Sequence, residues 1–143
     1  QNEGAQPGDR RPAGIYGLVE IDLPLGERNL TAFLRGGAAR GDSRTFNHSA
    51  QAGLLLEPAF AGRESSAVSI GYHSAATSSG YRADQAAAGE VPWRREHKFE
   101  GTYRDSPGGP VSFQPDLQWI ILTAPGQASR QALHATLRVT LAI

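Results

Sequence analysis

The sequence predicts an all-β protein: an antiparallel up-and-down meander of about seven strands, curled or barrel-like. Three observations predict it. Apolar residues recur with period two along most of the chain, the spacing of strands that present one apolar and one polar face. The connections between these runs alternate short and long, as they do when successive hairpins turn at opposite ends of one sheet. No run approaches the roughly 18 consecutive apolar residues of a transmembrane helix, so helical membrane spans are excluded.

Taken in order, residues 1–13 are polar and Pro-containing and read as a flexible tail, leaving 14–143 as a single domain. Weak alternation marks strands over 14–23, 29–37 and 47–57. Val68, Ile70 and Tyr72 against Ser69, Gly71 and His73 mark a fourth. Tyr81–Ala88 reads as a short helix ended by Gly89. Phe99, Gly101 and Tyr103 against Lys98, Glu100, Thr102 and Arg104 give the fifth strand. The sixth, 111–122, sets Val111, Phe113, Leu117, Trp119 and Ile121 against Ser112, Gln114, Asp116 and Gln118. Pro115 falls on its apolar face and demands an edge position or a bulge. The clearest strand is the last, where Leu133, Ala135, Leu137, Val139, Leu141 and Ile143 alternate with polar or small residues. The links Pro24–Glu27, Pro58–Glu64 and Asp105–Pro110 are short turns; those at Gly37–Phe46, Ala75–Glu96 and Thr123–Gln131 are longer.

Composition narrows the chemistry. A chain of 143 residues with 39% apolar residues fits one domain with a modest core. Fourteen basic residues balance fourteen acidic ones, so the field that would draw it to nucleic acid is missing. Without Cys or Met there is no thiolate nucleophile, disulfide, iron–sulfur ligation or Cys-linked haem. His48, His73, His97 and His134 do not pair at a helical metal-binding spacing. His48-Ser49 and His73-Ser74 are strand neighbours pointing to opposite faces, which prevents a nucleophile–base pair. No catalytic residue, metal or cofactor is therefore expected. The polar start, without an initiator Met, reads as an exported chain whose leader has been removed.

Several motifs in a consistent order carry a resemblance. These are Asn47-His48-Ser49 with Gly53-Leu54, the Gly62-Arg63 turn, Glu100-Gly101-Thr102-Tyr103-Arg104, and Phe113-Gln114-Pro115-Asp116-Leu117-Gln118-Trp119-Ile120. Together they resemble the C-terminal part of bacterial carbohydrate-selective porins. The resemblance implies an outer-membrane β-barrel that passes sugars by diffusion, with Arg35, Glu100, Arg104, Gln114, Asp116 and Gln118 facing the lumen. The chain departs from the pattern by ending in Ile143 rather than an aromatic residue. It also supplies about seven strands where such a pore needs about sixteen or more, and an odd meander leaves its first and last strands parallel.

Size and inferred export also resemble the small subunit, of about 15 kDa, of the membrane-bound quinohaem alcohol dehydrogenases of acetic acid bacteria. The reading that follows is a non-catalytic exported accessory subunit on the periplasmic side of the membrane. It would stabilise or assemble a complex with quinone- or haem-bearing dehydrogenase subunits. The alternative is part of an outer-membrane carbohydrate-selective porin. Trp93, Arg94 and Arg95, in the longest loop, are the candidate partner contacts. Lys98, Glu100, Arg104, Asp116 and Arg138 form either a sugar-binding lining or a cross-strand ion-pair ladder on a wet face. The face carrying Leu133, Leu137 and Leu141 meets either lipid or a packed core, and Trp119 and Tyr103 are girdle or core aromatics accordingly.

Overall fold

A computed structural model of the chain describes residues 13–40 and 45–142. The expected tail, apart from Ala13, lies outside the described residues, as do Ile143 and positions 41–44 of the second link. Seven strands and one helix follow one another: β1 (Ala13–Leu25), β2 (Arg28–Arg40), β3 (Phe46–Glu57), β4 (Ala67–Thr77), α1 (Ser79–Ala87), β5 (Arg95–Arg104), β6 (Val111–Thr123) and β7 (Arg130–Leu141). All seven strands form one antiparallel sheet in chain order, the meander that the alternation predicts. No ladder joins β1 to β7, so both sheet edges are open among the described residues. The helix is too short to cross a membrane.

Local chemistry sets the boundaries. The β1–β2 turn is only Gly26-Glu27, with Gly26 at φ 68°, the left-handed conformation that suits glycine at the first central position of a tight hairpin. Pro24 therefore belongs to β1, opposite Asn29, where an edge strand tolerates it. Pro115 is neither at an edge nor at a bulge. It stays opposite Leu137 of β7, one residue past the last β5–β6 pair Thr102↔Asp116, and the same register resumes at the bridge Asp105↔Phe113. The ladder lapses where proline has no N–H to give. Ser78 caps α1 by accepting from the Tyr81 N–H at 3.1 Å, which starts the helix earlier than its apolar pattern suggests.

Register and alternation assign the strand residues to faces, apart from the irregularity between Phe46 and His48. One face carries Val19, Leu34, Ala52, Tyr72, Phe99, Trp119 and Leu133 in a single row across the seven strands. The next row carries Ile21, Ala32, Leu54, Ile70, Gly101, Leu117 and Ala135. Among the described residues the expected core is absent: the buried apolar ones are Ala59, Ala67 and Ala75, since a single layer has no second layer to pack against. Trp119 is 44% exposed, Leu117 51% and Leu133 71%, so this face is not packed within the chain.

Candidate functional site

The opposite face holds most of the polar strand residues. Glu20, Asp22, Glu57, Glu96, Glu100 and Asp116, the acidic residues of the strands, all lie on it. So do all eight candidate lining residues: Arg35, Lys98, Glu100, Arg104, Gln114, Asp116, Gln118 and Arg138. On the central strands β3 to β6 the polar side chains are mostly half-buried, while most apolar ones opposite are exposed. Side chains converge on the inner side of a curved sheet and splay on its outer side, so the polar face is the inner one. This inverts the arrangement of a water-soluble sheet.

Three clusters organise the inner face. In the first, Phe33 lies over Gly53, its register partner on β3, because a Cβ there would stand 2.6 Å from its ring. The Arg35 guanidinium sits 5.9 Å from the ring centroid and donates to Gln51 Oε1. With His73, Lys98 and Glu100 these residues line a cleft of about 280 Å³, and Lys98 Nζ lies 3.2 Å from Glu100 Oε2. A flat ring beside charged and amide groups can stack on a sugar ring and hydrogen-bond its hydroxyls.

In the second cluster, Asp116 accepts from Thr102 Oγ1 at 2.8 Å and Gln118 Nε2 at 2.9 Å. Gln114, Thr136 and Arg138 complete a cleft of about 200 Å³, with Arg138 directly opposite Gln114. The third lies nearer the short turns, where Arg104 pairs with Glu57 at 2.6 Å across the intervening β4. Of the charged set, Lys98 pairs with Glu100 along β5 and Arg104 pairs with Glu57, which lies outside the set, while Asp116 is held by neutral donors.

Phe33, Gln51 and His73, with Glu57, Thr102 and Thr136, are inner-face residues that sequence reading missed. The phase of 29–37 carries the signal for Phe33, which is in step with Thr31 and Arg35 and out of step with Leu30, Ala32 and Leu34. Trp93, Arg94 and Arg95 are not gathered at a loop tip. Trp93 is half-buried and its carbonyl accepts from Thr77 Oγ1 at 2.6 Å, while Arg94 bonds through its backbone to Thr123 and Thr77. Arg95 opens β5 on the apolar side, donating to Ser74 Oγ at 3.2 Å. They lie on the return into the sheet.

At the short-turn end Asp105 is fully buried. It accepts from Tyr103 Oη at 2.7 Å, Ser65 Oγ at 3.0 Å and the Ser106 N–H at 2.8 Å, and pairs with Arg63. The Tyr103 hydrogen bond above all, then those of Ser65 and Ser106 and the charge of Arg63, hold its carboxyl below the usual carboxylate range. The knot ties the β3–β4 turn to the β5–β6 turn.

Compared with known proteins, the chain matches the family model of the carbohydrate-selective porin, OprB family, over residues 2–142. No protein of curated function and no solved structure matches it.

Proposed function

Because the chain belongs to the OprB family of carbohydrate-selective porins, we propose that its seven strands form part of the wall of an outer-membrane pore through which sugars diffuse. The observation that carries this reading is the inverted sheet, with charged and amide side chains sheltered and large apolar ones exposed. The strands have 10 to 13 residues, and crossing the hydrocarbon layer at a tilt takes about 9–11. The open edges leave closure to further strands, since seven strands enclose no water-filled lumen. In this role the chain is non-catalytic: the clefts around Phe33 and Asp116 bind and pass sugars without bond making. The accessory-subunit reading rests on size and inferred export alone, and nothing in the fold or the family match adds to it.

The chain has no cysteine, so single cysteines report on each face. We expect Gln118→Cys and Gln51→Cys, in the outer membrane of intact cells, to react with a small water-soluble maleimide and to be slowed by millimolar sugar. Leu117→Cys and Ile70→Cys should react only with a lipid-soluble reagent. Equal reaction of both sets with the water-soluble reagent would overturn the reading. Burial of the apolar set in a dehydrogenase complex would favour the accessory subunit.

A further inference from the structure

The outer face carries a charge pattern that passing sugars through the lumen does not require. Among its described strand residues the charged ones are Arg28, at the short-turn end, and Arg40 and Arg95, at the long-loop end; none is acidic. Near Arg40 and Arg95 on the same face stand His48, Ser74 and His97, the last 2.7 Å through Nδ1 from the Tyr72 hydroxyl. Arg95 donates to Ser74 Oγ, which holds its guanidinium at the rim.

Beneath this rim lies a groove of about 680 Å³ on the same face. Its floor is made of small residues, Ala32, Ala52 and Gly101, and its walls of Tyr72, Phe99 and Trp119 with the aliphatic row below. The three aromatic rings stand in register, Tyr72 to Phe99 at 5.0 Å and Phe99 to Trp119 at 5.7 Å between centroids. Crossing β2 to β7, the groove is roughly 24 Å long at about 4.8 Å per strand. One acyl chain spans only about 15 Å, half of the hydrocarbon layer. From Arg95 to Phe99 along β5 is about 13 Å, the separation of a headgroup from the body of its chain.

We propose that this rim and groove form a binding site for an anionic phospholipid-like amphiphile of the leaflet on the long-loop side. Its phosphate sits against Arg95, with Arg40 adding to the positive field of the rim, and one acyl chain descends along β5 to enter the groove at Phe99. The occupant follows from charge complementarity: the charged residues described on this rim, Arg40 and Arg95, are both cationic, and the groove beneath it offers hydrocarbon and aromatic faces. The proposal rests on the outer-membrane reading and goes beyond it, because a sugar pore needs an apolar outer face but no ordered lipid.

Trp119 is the reporter, and Trp93→Phe removes the other tryptophan of the chain. The full chain is placed in phosphatidylcholine vesicles containing a small fraction of acyl-brominated phosphatidylglycerol or, separately, acyl-brominated phosphatidylcholine. We expect the anionic lipid to quench Trp119 with about tenfold higher relative affinity, and Arg95→Gln or Arg40→Gln to lower that preference about fivefold. Molar salt should lower it in the Trp93→Phe chain with both arginines intact, which keeps the test independent of how the arginine variants fold. Millimolar inorganic phosphate should leave it unchanged. Equal quenching by both lipids, a preference insensitive to both arginines and to salt, or full competition by free phosphate would each overturn the lipid site. No quenching by either lipid would overturn the outer-membrane reading itself.

Discussion

Two residues show how the two faces constrain substitution. Ile70 is 60% exposed in the middle of the apolar face, on a central strand. With that face against hydrocarbon, Ile70→Arg should cost about 2–4 kcal/mol, the penalty of a cation near the bilayer midplane. Gln118→Arg, on the inner face beside Asp116, should cost less than about 1 kcal/mol. Reversible unfolding of the membrane-inserted protein in urea compares the two, and equal costs would contradict the assignment of faces. Gly53 is constrained from the inner side, because an added methyl meets the Phe33 ring at 2.6 Å and the Ile70 carbonyl at 2.9 Å. Gly53→Ala should destabilise by about 1–3 kcal/mol through this overpacking and should displace the ring from its cleft. Pairing it with Phe33→Leu should recover part of the loss in the same unfolding measurement.

At the scale of elements, the connections differ in how firmly they are held. Two of the three short turns at one end share the buried Asp105, while the long β4–β5 link carries α1 and returns through backbone bonds to Thr77 and Thr123. Because native contacts hold the Asp105 carboxyl below the usual range, its contribution to stability is complete above the ordinary carboxylate value. It is lost as the pH falls through the depressed value. Asp105→Asn should therefore lower the melting temperature at neutral pH, and the gap from the unaltered protein should close on acidification below the ordinary carboxylate range. A gap of constant size across that window would show that charge plays no part in the knot. Sequence spacing placed both turns but gave no sign of the knot, since Ser65 and Asp105 are 40 residues apart.

At the scale of the molecule, a single curved layer with open edges has no interior of its own and cannot enclose a water path. Liposomes containing only this 143-residue chain should therefore show no glucose-dependent swelling above empty controls. Swelling should appear when strands that close the wall are supplied. Channels formed by the lone chain would mean that copies pair edge to edge, β7 against β1 in parallel, contrary to the antiparallel rule of such walls.

Alternation along each strand is a local property, and it was legible in the sequence: seven strands, their order, the short and long connections, and the sharing of one phase by Arg35, Gln114, Asp116 and their companions. Each strand's phase can be read without knowing its neighbours, because successive side chains of an extended backbone point to opposite sides. Which face is sheltered was not legible, because a soluble sheet and a membrane wall have the same alternation and differ only in the direction of curvature. The tertiary structure decided it by half-burying the polar set and leaving Leu117, Trp119 and Leu133 exposed. It also assembled what register alone brings together: Phe33 over Gly53 of the next strand, the cationic rim above the groove, and the four partners of Asp105. These contacts join residues far apart in the chain, and their geometry exists only once the ladders are in register.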